Sequence, residues 1–251
     1  MRLFLIAFQF LTIIPLPGAV RHEAGDLGRS TLFFPLVGVV IGALMVGANW
    51  LLSPLLARPL CDALLITVAT VVTGALHLDG LSDVCDGLAA RGSRERFLEI
   101  MKDSRVGAVG AVALVLGLLL KWQALVAVPD GLKWQALLIF PTVARFGQVL
   151  TMTGARRAKA DGLGAAFTEG TGVLTLTGAG VITTTACLLL PGAGGLIPLV
   201  ALLLCTAAGR WFFQAKLGGL TGDTIGCLSE LNEILALTVM SALPVSGLFH
   251  Y

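Results

Sequence analysis

Long apolar runs, separated by short polar ones, make up most of this chain. Apolar stretches of about 18 or more residues read as membrane spans, because about 20 helical residues cross a hydrocarbon layer ~30 Å thick. The pattern predicts hydrophobic helices at about 31–52, 60–78, 107–128, 134–153, 172–190, 195–215 and 233–249, or about 7 transmembrane helices. Turn residues mark several ends: Pro54, Pro129, Gly131, Pro191, Gly192, Gly194 and Gly195. Gly38 and Gly42 form a GxxxG spacing of the kind that lets helices approach closely. The expected fold class is all-α, a polytopic integral membrane helix bundle, with residues 1–251 as one membrane-embedded domain.

Two segments depart from that pattern. MRLFLIAFQFLTIIPLP begins with one Arg and an apolar run that ends at Pro15 and Pro17. It lacks a small-x-small cleavage site, so an N-terminal interfacial half-helix is expected rather than a signal peptide. GSRERFLEIMKDSR, residues 92–105, has Ser93 as a cap and sets Phe97, Ile100 and Met101 against charged neighbours. This predicts an amphipathic helix lying along the cytoplasmic membrane surface.

Composition agrees: 56% of residues are hydrophobic and 13% charged, with mean hydropathy +0.91. A net charge of +2 excludes nucleic acid as a natural partner. The five cysteines lack CxxC spacing and read as small buried hydrophobes. Thirteen of the 17 basic residues fall in segments 1–30, 79–106, 154–171 and 209–232, against Arg58, Lys121 and Lys133 on the other side and Arg145 within a span. The positive-inside rule then turns the charged loops toward the cytoplasm. Trp50, Trp122, Trp134 and Trp211 fall near span ends, as interfacial anchors do.

The charge is concentrated. Residues 77–107, HLDGLSDVCDGLAARGSRERFLEIMKDSRVG, hold eleven of the 32 formal charges. On a helix Asp79, Asp83 and Asp86 fall within roughly 60° of one another, and three carboxylates on one face repel unless a cation joins them. Acids next to a span are costly. An all-oxygen ligand set favours magnesium, with manganese as a substitute, over zinc. Asp103 offers a fourth carboxylate. Gly80 and Gly87, near the same face, would leave room for a bulky ligand. Arg91, Arg94, Arg96, Lys102 and Arg105 suit phosphate oxygens. Metal, phosphate and cations together describe phosphoryl-group chemistry at a membrane surface.

HLDGLSDVCDGL (77–88) followed by EIMKDSRVGAVG (99–110) closely resembles the cobalamin (5′-phosphate) synthase family, also called adenosylcobinamide-GDP ribazoletransferase. FLTIIPLP (10–17) and TGDTIG (221–226), with Glu230 and Glu233 after it, resemble that family's other landmarks. The resemblance implies a multi-pass inner-membrane enzyme of a bacterium that needs Mg2+. It would join adenosylcobinamide-GDP to α-ribazole or its 5′-phosphate, releasing GMP. Asp79, Asp83, Asp86 and Asp103 are then the expected catalytic and metal-holding residues. Arg91, Lys102 and Arg105 would neutralise charge on phosphate oxygens, while Asp223, Thr221 and Thr224 would hold metal, second substrate or phosphate. Arg145 needs an anion, either an acidic neighbour or substrate phosphate. His77 is a candidate substrate contact and a tempting base, but on an unbroken helix it points roughly opposite the aspartates. Glu230 and Glu233 are expected to begin the last helix, where acids suit the dipole, an explanation adequate for Glu233 alone.

Asp83-x-x-Asp86-Gly87-x-x-Ala90-Arg91 also fits the opening of the CDP-alcohol phosphatidyltransferase signature. The remainder fails: Ile100 replaces a glycine, Ser104 replaces an aspartate, and Asp103 misses the register by one. A polytopic transporter is the third reading, and it expects acids near the bilayer midplane. A homo-oligomer is compatible with all three.

Overall fold

The computed structural model describes residues 1–16, 23, 25–90, 92–103, 105–158, 163–189 and 192–243. Twelve α-helices are found among them: α1 Arg2–Leu11, α2 Asp26–Ser30, α3 Phe34–Leu52, α4 Arg58–Val72, α5 Leu76–Ala89, α6 Arg94–Ile100, α7 Ala108–Ala127, α8 Lys133–Met152, α9 Leu163–Gly170, α10 Val173–Cys187, α11 Leu196–Leu217 and α12 Gly222–Ala242. The all-α membrane architecture is therefore as expected, while the exact count of seven spans is not confirmed. By length and apolarity, residues 26–52, α7, α11 and α12 qualify as spans, and α4 with α5 makes a fifth only if the bent pair is taken as one.

The differences have physical causes. The segment expected as one helix over 60–78 breaks at Thr73–Ala75, and α4 and α5 meet at 90°. Gly74 (φ 59°) and Ala75 (φ 56°) both take left-handed conformations there, which ends one helix and re-aims the next. α8 has 17 of its 20 residues buried. Enclosed by protein, it carries Lys133, Gln135, Arg145 and Gln148 where a lipid-facing helix would carry apolar residues. α10 has only 15 residues, about 22 Å of rise. The last helix begins at Gly222, not near residue 233, and residues 244–249 of the predicted span lie outside the described residues.

α8 is the axis of the bundle. A Cβ on Gly38 or Gly42 of α3 would come within 2.6 Å of α8 backbone, so the GxxxG spacing docks these two helices. The half-helix α1 is present, packed through Ile6, Ala7, Phe8 and Leu11. Ile13 N–H donates to Val72 O at 2.8 Å, which ties this segment to the end of α4. The amphipathic α6 is present too, with Ser93 accepting the Arg96 N–H and Phe97 buried.

Polar contacts join both ends of the bundle. At one, Arg94 donates to Leu217 O (2.6 Å) and Ala158 O (2.9 Å), and Arg210 donates to Leu150 O (3.1 Å) and Thr153 O (2.6 Å). At the other, Lys133 binds Asp62 (2.7 Å), Arg58 pairs with Asp130, and Trp122 donates to Pro59 O (2.8 Å). The first end carries α6 and the 77–107 charges.

Candidate active site

The acids that dominate the sequence stand on α5. Its inner face, with His77, Leu78, Leu81, Ser82 and Val84, is buried, while Asp79 is exposed and Asp83 and Asp86 are half-buried. The three aspartates thus share the open side of the helix, as their spacing requires.

Neighbouring elements use the α5 glycines. A Cβ on Gly80 would lie 2.6 Å from Asp223 O, and one on Gly87 would lie 3.1 Å from the Phe97 ring. The room expected for a bulky ligand is therefore occupied: α12 begins against Gly80 and α6 covers Gly87. This brings half-buried Asp223 to the acidic helix. Thr221 and Thr224, expected to bind phosphate, form the cap of α12. Thr221 Oγ1 accepts the Thr224 N–H (3.2 Å), while Thr224 Oγ1 accepts the Thr221 N–H (2.9 Å) and donates to Thr221 O (2.9 Å). Both are buried in this capping box.

Asp86 does work that the sequence reading did not assign. Its Oδ2 accepts the Gly107 N–H and its Oδ1 the Gly110 N–H, each at 2.8 Å. Gly107, as N-cap of α7, has no side chain with which to cap, so a carboxylate from α5 satisfies these donors. A Cβ on Gly107 or Gly110 would come within 2.4 or 2.3 Å of that carboxylate.

The basic loop is partly committed. Arg105 binds Asp103 through Nε (3.0 Å) and Nη2 (2.8 Å). That bidentate pairing, with the Arg105 backbone N–H, pulls the exposed Asp103 carboxyl down to about 2. Asp103 is therefore held as the partner of Arg105. Lys102 is exposed, Arg96 pairs with Glu99 (2.8 Å), and Arg94 is spent on carbonyls. Arg91 lies outside the described residues.

Among the described residues no three His, Cys, Asp or Glu side chains gather as a metal-ligand cluster. The donor set still fits magnesium, which takes one or two carboxylates and completes its octahedron with water and substrate phosphate. Asp79 and Asp83, one helical turn apart, would be the pair to hold it. Asp79 makes no side-chain hydrogen bond or ion pair among the described residues.

A second polar centre lies inside the bundle. Lys121 of α7, counted from sequence as a loop cation, is buried with Nζ 2.6 Å from Glu230 Oε2 and 2.5 Å from Glu233 Oε2. Arg145, 1% exposed, pairs with the other Glu233 oxygen. Of the two partners expected for it, the acidic neighbour is present. Glu230 and Glu233 sit two to three turns into α12, so the helix-start explanation fails for both. Next to this quartet, Gln148 Nε2 lies 2.8 Å from both His77 Nε2 and Ser229 Oγ. His77 is thus held within the packed interior, on the side of α5 away from the acids. Hydropathy concealed the quartet, although four charged residues in otherwise apolar helices were its signal.

Comparison with known proteins agrees over nearly the whole chain. Residues 3–241 match the family described as cobalamin-5-phosphate synthase. An adenosylcobinamide-GDP ribazoletransferase of Geotalea daltonii is 54% identical over 97% of this chain and 98% of its own length. One from Pseudomonas savastanoi pv. phaseolicola is 41% identical over 96% and 99%. A third, from a Roseiflexus species, is 38% identical over 94% and 87%. No solved structure matches significantly.

Proposed function

The chain belongs to the cobalamin-5-phosphate synthase family, and from that premise we propose that it transfers the adenosylcobinamide phosphate group of adenosylcobinamide-GDP to α-ribazole or its 5′-phosphate, releasing GMP. It is an enzyme, and its long apolar helices make it a membrane protein. The observation that carries the reading is the open acidic side of α5, with the start of α7 held on Asp86 and the start of α12 packed on Gly80.

Asp79 and Asp83 would hold Mg2+, which when bound polarises the diphosphate and stabilises the leaving phosphate. Manganese fits the same oxygen donors. Asp86 docks the start of α7, and with it the end of the basic segment, onto the acidic helix. Lys102 and Arg105, with Arg91, would neutralise charge on the phosphate oxygens. Asp103 orients the Arg105 fork. The ribose 3′-hydroxyl of the acceptor attacks the phosphorus bearing the cobinamide arm. The bond from that phosphorus to the bridging oxygen breaks, GMP departs, and a carboxylate of the acidic face takes the hydroxyl proton. Asp223, beside Gly80, would border this reaction space.

The abundance of basic residues at the same end supports an active site on the cytoplasmic side of a bacterial inner membrane. The test uses purified protein with magnesium. GMP release from adenosylcobinamide-GDP that depends on α-ribazole is expected, with no CMP from CDP-diacylglycerol and a glycerol acceptor. CMP release alone would reverse the assignment in favour of phospholipid synthesis.

A further inference from the structure

FLTIIPLP, residues 10–17, has no task in the transfer chemistry above. Its first residues are anchored in the core. Leu11 is fully buried, and the Phe10 ring lies 5.9 Å from Phe34 of α3 and 4.2 Å from Phe167 of α9. Thr12 is buried and extended (φ −139°, ψ 153°), and its Oγ1 donates to Phe8 O at 2.8 Å as the chain leaves α1. The next residue reaches the elbow between α4 and α5.

A helix that ends must find donors for its last carbonyls. α4 meets most of that need locally: Thr73 N–H donates to Ala69 O (3.1 Å), Ala75 N–H to Thr70 O (2.9 Å) and Gly74 N–H to Val71 O (3.0 Å). The last two bonds, with Gly74 left-handed, form a Schellman turn. Val72 O is the next carbonyl in line, and its donor is Ile13 N–H at 2.8 Å. Ile13 also covers the turn, because a Cβ on Gly74 would lie 2.6 Å from Ile13 Cγ2. Ala75, a non-glycine residue at φ 56°, keeps a conformation that its surroundings must enforce.

The acidic helix starts directly from this turn. Asp79 lies in the first turn of α5, and its N–H donates to Ala75 O at 3.0 Å. The far end of α5 is fixed separately, by Asp86 on the start of α7. The elbow therefore sets the end that carries Asp79. Asp79 stands about 10 Å from Asp86 along the helix, so a tilt of about 10° around that fixed end would move it about 2 Å. Metal–ligand distances tolerate only about 0.2 Å.

We propose that Ile13 is a positioning residue for the transfer reaction, clamping the α4–α5 elbow so that Asp79 and Asp83 face the reaction space together. The proposal rests on the metal-holding role given to those aspartates above and adds what keeps them in place. Ile13→Pro removes the N–H and suits the extended Thr12 before it, whereas Ile13→Val keeps both the N–H and the branched side chain. Hydrogen exchange by mass spectrometry on full-length protein in nanodiscs should show exchange over 73–80 rising about fivefold or more in Ile13→Pro, with α8 unchanged. Mn2+ affinity with adenosylcobinamide-GDP present should weaken about fivefold or more in the same variant, and Ile13→Val should match wild type. Gly74→Ala should weaken Mn2+ binding similarly, since its Cβ meets Ile13 Cγ2. Ile13→Ala in the same chain should then restore part of the loss, a relief that general damage to the fold would not show. Ile13 is 61% exposed, so trimming it removes little packing. The proposal is overturned by unchanged exchange over 73–80 in Ile13→Pro, by raised exchange there with wild-type Mn2+ affinity, or by a Gly74→Ala, Ile13→Ala pair no better than Gly74→Ala. If Ile13→Pro loosens every helix, the Gly74 pair decides. If the metal reading is what fails, Asp79→Asn with Asp83→Asn keeps wild-type Mn2+ affinity, and exchange over 73–80 still decides whether Ile13 holds the elbow.

Discussion

At the scale of single residues, the three aspartates of α5 look equivalent in sequence and are not equivalent in the fold. Asp79 is exposed, whereas both oxygens of Asp86 accept α7 backbone N–H groups at 2.8 Å. Asp86→Asn turns an NH2 toward one of those donors and leaves it unmet, which costs about 1–3 kcal/mol. Gly110→Ala drives a Cβ into the same carboxylate and should destabilise comparably. Asp79→Asn should leave the melting temperature in detergent essentially unchanged while abolishing turnover. Equal melting temperatures for all three variants would contradict this division of labour. Spacing made the shared acidic face legible in the sequence. It did not reveal the α7 cap, because that depends on a partner helix more than twenty residues away.

At the scale of elements, the start of α12 governs what lies beside the acids. The Thr221–Thr224 capping box fixes its first turn, and Asp223 within that turn packs on Gly80. Thr221→Ala should cost about 1 kcal/mol and raise proteolytic nicking near residue 220, while Thr221→Ser keeps the acceptor oxygen and should behave as wild type. Equal nicking of the two variants would remove the cap from the account. Hydropathy placed this helix near 233–249 because it follows the most apolar window, and the observed α12 starts earlier with Gly, Asp and Thr. The 60–78 run was likewise read as straight, since neither Gly74 nor Ala75 announces a left-handed pair. Local chemistry did foretell α6, whose Ser93 cap and buried Phe97 were visible from neighbouring residues alone.

For the whole molecule, apolar periodicity sufficed for an all-α membrane bundle, while four described helices, or five with the bent pair, are long and apolar enough to cross by themselves. α8 falls below the apolarity of a lipid-facing span because its buried Lys133, Gln135, Arg145 and Gln148 are compatible with the bundle centre only where protein, not lipid, surrounds them. The quartet crosses three helices, so no local pattern could pair Lys121 with Glu230 and Glu233. The bundle thus presents an acidic helix at its charged end and a buried, charge-balanced quartet within, and the proposed metal and donor belong to the first. The most direct test is Mn2+ binding to full-length protein, followed by electron paramagnetic resonance with adenosylcobinamide-GDP present. Donor-dependent binding is predicted in wild type, weakened at least about tenfold by Asp79→Asn with Asp83→Asn. Unaltered Mn2+ affinity in that double variant would contradict the claim that α5 holds the metal.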